Sequence, residues 1–363
     1  MAYKLLTPGP LTTSDTVKQA MMIDHCTWDN DYKTITLDIR KRLLALAGVD
    51  GTDYTVVLMQ GSGSFGVEAV LSSEIGPEDH LLICSNGAYG KRMVQMSERL
   101  GLKYTVYEVG DCEIPKASAI KKYLEHQEDI TAIAMVHSET TSGILNELEE
   151  IAALAKENNQ LFIVDAMSSF GGITIDVKAL DIDFLISSSN KCIQGVPGFS
   201  FIIGKKAEIE QRKDYARSLS LDIYGQFKEM DKDGKWRFTS PTHTVLAFHQ
   251  ALIELEEEGG IKNRNLRYLA NNQLLRTKMS DLGFEMVVKE HQGPFITSFY
   301  YPKSFPFEFD SFYYYLKERG FVIYPGKISE LECFRIGNIG EIYPEDIEEL
   351  IRIIAEYKEM LAA

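Results

Sequence analysis

Short runs of apolar residues alternate with segments of helical spacing along most of the chain. Residues 14–21 and 31–46 repeat apolar side chains every three or four positions, and Gly48 ends the second segment. The pattern then predicts seven strands, at Tyr54–Leu58, Leu81–Cys84, Tyr104–Val106, Ile130–Val136, Leu161–Val164, Phe184–Ile186 and Phe199–Ile203. Helical segments separate most of them, at 65–74, 88–100, 116–125 and 147–158. This alternation indicates an α/β fold whose mostly parallel sheet is covered on both faces.

The last two predicted strands have no helical segment between them, so we expect one of them to run antiparallel and make the sheet mixed. After a helix at Thr244–Glu258, the pattern changes. It predicts a long helix and then a smaller set of elements, at 261–281, Phe284–Val288, Phe295–Tyr301, 310–319, Phe321–Tyr324, Cys333–Ile336 and 346–361. We therefore predict a large domain over residues 14–258, a smaller α+β domain over 259–363, and an N-terminal segment, 1–13, that joins the small domain.

Charge and cysteine usage narrow the function further. The 363 residues carry a net charge of −15, which argues against nucleic acids and anionic membrane surfaces as partners. No apolar run approaches the roughly 20 residues that span a bilayer, and the first ten residues lack the apolar core of a signal peptide. The five scattered cysteines, without a C-x-x-C pair, predict reduced thiols and a cytoplasmic protein.

Two of the predicted strands are followed by side chains of complementary chemistry. Asp165 ends the run that begins at Leu161, and Lys191 follows Phe184–Ile186 in a loop of serines, an asparagine and glycines. Ligands of open α/β sheets bind at the carboxyl ends of the strands, so we expect both side chains at one site. A Schiff-base lysine and an acid for a pyridinium nitrogen are what a protein supplies to pyridoxal phosphate. A solvated lysine and a turn or N-cap aspartate are the alternatives.

A glycine-rich loop, Gly61–Gly66, follows the first predicted strand and precedes a helix. Its backbone, with the hydroxyls of Ser62 and Ser64, suits a phosphate group. The loop also fits the G-x-G-x-x-G pattern of NAD-binding proteins, which requires an acidic residue at the end of the next strand. That strand ends in Ser85-Asn86-Gly87, so the pattern favours a phosphate site over NAD.

Three further positions carry candidate chemistry. Tyr89 lies just past a strand end, where its ring could stack on a planar group, and Thr140 follows another strand, within reach of a ring substituent. The same segment contains His137-Ser-Glu139, but the P-C-x-x-C partner of zinc deaminases is missing, so no metal is predicted. Arg335 lies inside an apolar strand and could bind a carboxylate or phosphonate through two hydrogen bonds; a surface ion pair is the alternative.

Together these segments resemble the class V aminotransferase group of the fold-type I pyridoxal-phosphate enzymes. The similarity runs over nearly the whole chain, and its most specific segments are Leu5–Thr13, Thr27–Asp31, Asn86–Gly90, Glu139–Gly143 and Asn190–Gly198. The residues after the lysine resemble the branch that uses 2-aminoethylphosphonate and pyruvate. The resemblance implies a mixed, mostly parallel sheet in a three-layer αβα large domain, with a smaller α+β C-terminal domain.

The resemblance also implies roles for individual residues. Lys191 would form the Schiff base, Asp165 would pair with the pyridine nitrogen, and Arg335 would bind the substrate anion. The remaining cofactor contacts would come from Ser62, Gly63, Ser64, Tyr89, Thr140, Met167, Asn190, Thr239 and Thr242. The two threonines near residue 240 would reach the phosphate of the partner subunit, so we expect a homodimer with active sites at the subunit interface.

The implied reaction is a transamination in which 2-aminoethylphosphonate and pyruvate give phosphonoacetaldehyde and L-alanine, a step in phosphonate degradation. An alanine or serine transaminase that uses glyoxylate or pyruvate is the nearest alternative. An NAD-dependent dehydrogenase that uses Gly61–Gly66 is a distant one.

Overall fold

The computed structural model describes residues 3–127, 129–328 and 331–362. Its helices are α1 (Asp15–Gln19), α2 (Asn30–Leu46), α3 (Gly63–Glu74), α4 (Ala88–Leu100), α5 (Ala117–His126), α6 (Glu149–Glu157), α7 (Lys206–Gln211), α8 (Ile223–Asp233), α9 (Thr242–Glu257), α10 (Gly260–Asp281), α11 (Phe309–Glu318) and α12 (Pro344–Ala362). Its strands are β1 (Lys4–Leu5), β2 (Tyr54–Gln60), β3 (His80–Ser85), β4 (Lys103–Glu108), β5 (Ala132–Val136), β6 (Ser138–Glu139), β7 (Ile144–Leu145), β8 (Leu161–Asp165), β9 (Phe184–Ser188), β10 (Phe199–Lys205), β11 (Ile296–Tyr300), β12 (Phe321–Val322), β13 (Tyr324–Pro325) and β14 (Cys333–Gly337). A 3₁₀ turn, Ala20–Met22, follows α1.

A seven-stranded sheet in the order β2-β10-β9-β8-β5-β3-β4 forms the centre of the molecule. Its strands run parallel except β10, which is antiparallel to both of its neighbours. The expected mixed sheet is therefore confirmed. The physical reason is the connection between β9 and β10, residues 189–198, which is too short for the helical crossover that parallel neighbours need.

Helices cover both faces of this sheet, because its strands carry apolar side chains in both directions. In β2, Val56 and Leu58 pack into the layer that includes α2, α5, α6 and α9. Val57 and Met59 point the other way and pack against α3, α4 and α8. The three-layer αβα arrangement is confirmed. As a consequence, the loops that follow several strands converge at the carboxyl end of the sheet.

The C-terminal part contains a separate antiparallel sheet in the order β11-β14-β13. Side chains of α10, α11 and α12 cover it with an apolar layer that includes Leu275, Phe312 and Ile354. The N-terminal strand β1 pairs in parallel with β12, with Lys4 opposite Phe321. Residues Lys4 and Leu5 therefore lie against this C-terminal part. Within the described residues, no helix is both long and apolar enough to cross a bilayer.

Three local expectations were wrong. The segment Phe284–Val288 makes only a single bridge to β11, at Met286, because its last residue, Val288, packs beside Ile144 instead. The predicted strand Phe321–Tyr324 is divided between β12 and β13, which belong to different sheets. Helices α7 and α8 were not predicted. In α8 the buried side chains of Ile223, Phe227 and Met230 follow helical spacing, so that sequence signal was present.

Candidate active site

A cleft of about 210 Å³ opens at the carboxyl ends of β8 and β9. Residues of the β2–α3 loop, α4, β5, β8 and the loop after β9 line it. Eight of the twelve residues expected from the sequence lie together there, namely Ser62, Gly63, Ser64, Tyr89, Asp165, Met167, Asn190 and Lys191. The expected meeting of the two strand ends is thus observed, since β8 and β9 are neighbours in the sheet.

Lys191 places its amine inside this cleft. Its Nζ donates a hydrogen bond of 2.6 Å to the carbonyl oxygen of Pro8, in the N-terminal segment. Burial lowers the pKa of the Lys191 ammonium to about 8, and the positive charges of Arg335 and Lys327 act in the same direction. A substantial fraction of this amine is therefore neutral near pH 7.5, which a solvated lysine side chain does not provide.

Asp165 is the last residue of β8 and is buried. Its Oδ1 accepts a 2.9 Å hydrogen bond from the backbone N–H of Met167. This is the contact of a turn aspartate, but in the described part of the chain no hydrogen bond reaches Oδ2. Burial raises the pKa of the Asp165 carboxyl to about 6, while Lys191 and Arg92 lower it. A cationic group that enters the cleft would hold this carboxylate ionised.

The start of α3 forms a small cradle on one side of the cleft. Ser62 is the N-cap of this helix, and no side-chain cap occupies the first backbone N–H groups. A Cβ on Gly63 would lie only 2.2 Å from the Sδ of Met167, so glycine is what leaves room beside that side chain. The hydroxyl of Ser64 accepts a 2.9 Å hydrogen bond from Nη1 of Arg92. Free amides, a hydroxyl and a guanidinium together suit an anion.

Two cations flank Tyr89, and no sequence motif marks them. The guanidinium carbon of Arg92 lies 4.8 Å from the centroid of the Tyr89 ring, and the Nζ of Lys327 lies 4.6 Å from it. Arg92 is three residues after Tyr89 on α4, a spacing that places both on one helix face. Lys327 belongs to the C-terminal part of the chain, so no sequence pattern around Tyr89 could have predicted their contact.

Glu139 supports the same corner of the cleft from the buried strand β6. Its Oε2 accepts a 3.1 Å hydrogen bond from the backbone N–H of Tyr89, and its Oε1 accepts bonds from the N–H and hydroxyl of Thr141. Burial raises the pKa of the Glu139 carboxyl. The residue thus fixes the start of α4, and with it the position of the Tyr89 ring.

Arg335 is buried on β14, beside the cleft. Its Nε donates to the carbonyl of Pro325 at 3.0 Å, and its Nη1 donates to the carbonyl of Thr140 at 2.9 Å. Among the described residues no carboxylate lies within ion-pair distance of it, so the surface ion pair was the wrong alternative. A buried guanidinium without a counterion favours an incoming anion. The Oγ1 of Thr140 is itself buried without a hydrogen-bond partner in the described ranges.

The family relationships of the chain agree with this geometry. The sequence model described as aminotransferase class-V matches residues 27–332. The chain belongs to the class-V aminotransferase family. It is 55% identical to the 2-aminoethylphosphonate–pyruvate transaminase of Lysinibacillus sphaericus, over 98% of this chain and 97% of that protein. It is also 55% identical to the protein of that name from Klebsiella pneumoniae, over 97% and 96% of the two chains.

Solved structures share the fold of this aminotransferase at lower sequence identity. The crystal structure of ureidoglycine–glyoxylate aminotransferase from Bacillus subtilis superposes with a TM-score of 0.91, at 21% identity. The superposition covers 100% of this chain and 94% of that one. The architecture expected from the class V resemblance is therefore confirmed.

Four predicted site residues lie outside the lining of the cleft in this aminotransferase. Arg335 and Thr140 are joined to each other by the hydrogen bond described above, and Arg335 lies close enough to the cleft for its charge to act on Lys191. Thr239 is exposed, and its carbonyl accepts a 2.8 Å hydrogen bond from Nε2 of Gln60, while Thr242 begins α9. The single chain does not bring these two threonines into the site, so their expected contact with a partner subunit's cofactor stays a prediction. Across the described ranges, no group of three or more metal-binding side chains comes together.

Proposed function

We propose that this aminotransferase uses pyridoxal 5′-phosphate to transfer the amino group of 2-aminoethylphosphonate to pyruvate, giving phosphonoacetaldehyde and L-alanine. The observation that carries the choice of substrates is identity of 55% over nearly the full length to proteins named for that reaction. The guanidinium of Arg335, which has no carboxylate partner among the described residues, supports it. Both proposed substrates carry an anionic group close to the reacting carbon, since the carboxylate of pyruvate is bonded to that carbon and the phosphonate of the donor is one carbon away.

The residues around the cleft fit pyridoxal phosphate. An amine, Lys191 Nζ, and a buried carboxylate, Asp165, face the same small space. The cradle at Gly63 offers free backbone amides and admits no Cβ, and the buried Oγ1 of Thr140 lacks a partner among the described residues. Ser62, Gly63, Ser64 and Arg92 would hold the phosphate, and Tyr89, Met167, Thr140 and Asn190 would surround the ring.

Lys191 is the base of the proposed reaction. The chemistry that pyridoxal phosphate supplies when bound is an electron sink for the carbon that loses its proton. Lys191 Nζ takes that proton from the donor carbon that bears the amino group. In the second half of the reaction the same atom returns a proton to the carbon that becomes C2 of alanine. A positioned base of this kind contributes roughly 10²–10⁴-fold to the rate, and a pKa of about 8 suits it.

Asp165 and Arg335 orient the reacting groups. The Asp165 carboxylate would keep a proton on the pyridine nitrogen, because an ionised acid in a buried site stabilises a cation beside it. Arg335 would bind the phosphonate of the donor in one half-reaction and the carboxylate of pyruvate in the other. Its position beside the lining, fixed by two backbone carbonyls, leaves the rest of the guanidinium for the substrate.

A homodimer is part of the proposal. Large apolar side chains that one chain leaves exposed include Met22, Ile23, Trp28, Phe65 and Phe238. Their segments are in contact, because the ammonium of Lys235 lies 4.9 Å from the Trp28 ring, His243 contacts Asp24 at 3.0 Å, and Gln60, shortly before Phe65, donates to the carbonyl of Thr239. Exposed apolar surface next to Thr239 and Thr242 suits a second copy that shares the site. The five unbridged cysteines support a cytoplasmic location.

The proposal is tested with purified enzyme and a panel of amines. We expect 2-aminoethylphosphonate with pyruvate to form phosphonoacetaldehyde and alanine, and the absorbance of the bound cofactor to change when the amine is added. Lys191→Ala should abolish turnover. Lys121→Ala, at an exposed position of α5, serves as the matched control and should leave turnover unchanged.

Two results would contradict the proposal. Conversion of alanine or serine with glyoxylate, without conversion of 2-aminoethylphosphonate, would reassign the substrates. Full activity of Lys191→Ala would refute the site itself.

A further inference from the structure

The hairpin that carries Arg335 also carries a second cation to the mouth of the cleft. Tyr324 of β13 lies opposite Arg335 of β14, and the N–H of Gly326 donates to the carbonyl of Cys333 at 3.0 Å. The next residue, Lys327, is exposed, yet its ammonium lies 4.6 Å from the centroid of the Tyr89 ring. Because Tyr89 lines the cleft, the ammonium of Lys327 stands at its edge.

The acidic residue near this edge is already engaged. Both carboxylate oxygens of Glu139 accept hydrogen bonds from Tyr89 or Thr141. Within the described ranges, neither Lys327 nor Arg335 has a carboxylate at ion-pair distance. Each positive charge raises the energy of the other. Although the Lys327 side chain is exposed as a whole, partial desolvation of its ammonium beside Tyr89 lowers its pKa, Arg92 and Arg335 lower it further, and Glu139 opposes them. Such a cluster is most stable when an anion lies between its members.

The two proposed substrates differ in the anion that they present. Pyruvate has a planar carboxylate with one charge, which one guanidinium binds through two parallel hydrogen bonds. The donor has a tetrahedral phosphonate, which resembles a phosphate ester with about −1.5 to −2 charges near pH 7. Once a guanidinium binds two oxygens of the phosphonate, its third oxygen needs another hydrogen-bond donor and its second negative charge needs another cation. A lysine ammonium, as a compact point charge, meets that need.

We propose that Lys327 is a specificity-determining residue, which binds the second charge of the phosphonate while Arg335 binds the anion of both substrates. This inference rests on the proposed function. With these two cations, one site can bind a dianion in one half-reaction and a monoanion in the other. Arg335 is common to both, and Lys327 contributes fully for the dianion alone.

The test measures binding of unreactive anions to the holoenzyme by calorimetry. The titrations are made above the second pKa of ethylphosphonate, where this anion is a tetrahedral dianion. Ethanesulfonate is a tetrahedral monoanion under the same conditions, and propionate is a planar monoanion. Lys327→Gln should weaken ethylphosphonate about tenfold, equivalent to about 1.4 kcal/mol, and the two monoanions by less than about twofold. Lys121→Gln removes an equal charge from the exposed face of α5 and should change none of them. In turnover, Lys327→Gln should raise KM for 2-aminoethylphosphonate and leave KM for pyruvate unchanged.

Three outcomes overturn the inference. They are equal weakening of ethylphosphonate and ethanesulfonate by Lys327→Gln, no weakening of either, and a loss in Lys327→Arg as large as that in Lys327→Gln. The last variant keeps the charge, so it should stay within about threefold of the unmodified enzyme, and it replaces Lys327→Gln as the informative variant if that one does not fold. Failure of the proposed function is a separate result. The unmodified enzyme would then not convert 2-aminoethylphosphonate, while the anion titrations would still report on the two cations.

Discussion

The titration of Lys191 provides a direct test of the site electrostatics. Burial, assisted by Arg335 and Lys327, lowers the pKa of this ammonium to about 8. At pH 7.5 an amine with a pKa of about 8 is neutral in about a quarter of the molecules, whereas at the ordinary lysine value of about 10.4 it is neutral in about one in a thousand. The apoenzyme should therefore show Lys191 reacting with an electrophile roughly 200-fold faster than its ordinary pKa allows.

The assay is trace labelling of the apoenzyme with acetic anhydride between pH 6 and 11. Because only the neutral amine reacts, the midpoint of the labelling rate against pH gives the pKa of each lysine. Mass spectrometry of the peptides that contain Lys191 and Lys121 reads the two rates from one sample. Lys121, exposed on α5, is the internal control for reagent concentration and pH.

Removing a neighbouring positive charge tests the direction in which that charge shifts the pKa of Lys191. Arg335→Gln takes away a cation that disfavours the ammonium, so the pKa of Lys191 should rise and its labelling at pH 7.5 should fall. A midpoint near 10.4 in the unmodified apoenzyme, or a lower midpoint in Arg335→Gln, would refute this account of the site.

Two further variants test packing around the cleft. Gly63→Ala should displace the Sδ of Met167, which would lie 2.2 Å from the new Cβ, and lower cofactor affinity at least about tenfold in an absorbance titration. Because the Met167 side chain is flexible, the free energy of unfolding of the apoenzyme should change by less than about 1 kcal/mol. An unaltered affinity for the cofactor would contradict the assignment of the cradle at Gly63. Tyr268→Phe removes a buried hydroxyl that accepts from Gln194 at 2.7 Å and donates to the carbonyl of Cys192 at 3.3 Å. The free energy of unfolding of Tyr268→Phe in urea should be lower by roughly 1–3 kcal/mol. A loss below about 0.5 kcal/mol would mean that these hydrogen bonds do not stabilise the loop that carries Lys191.

The central sheet was predictable because six of its seven strands are buried on both faces and consist mostly of apolar residues, whereas the edge strand β4 is only partly buried. The strand β8, Leu161–Asp165, illustrates this, since it is buried throughout and ends in the residue expected there. Smaller elements were harder to predict. The segment Phe284–Val288 is as apolar as a strand, but it forms only one bridge with β11, centred on Met286, and Val288 then packs beside Ile144. An apolar run indicates burial, and it does not say which neighbour covers it.

The candidate site was predictable to the extent that its chemistry lies at strand ends. Asp165, Lys191 and the loop at Gly61–Gly66 were expected together, and the structure places them in one cleft. Arg92 and Lys327 were not anticipated, although both lie within 5 Å of the Tyr89 ring centroid. Arg92 had a weak signal in its spacing from Tyr89 on α4. The boundaries at residues 13 and 258 stay a prediction.

The amino-acid sequence by itself determined the order of most helices and strands, the presence of one antiparallel strand among Phe184–Ile186 and Phe199–Ile203, and the side chains available at each strand end. These follow from local spacing and from the length of the chain between elements. The tertiary structure alone decided that Pro8 and Lys327 approach Lys191 and Tyr89 from distant parts of the chain, and it placed Arg335 where its charge lowers the pKa of Lys191. The reactivity of Lys191 depends on those approaches, because desolvation and charge act through space and fall off with distance rather than with separation along the chain.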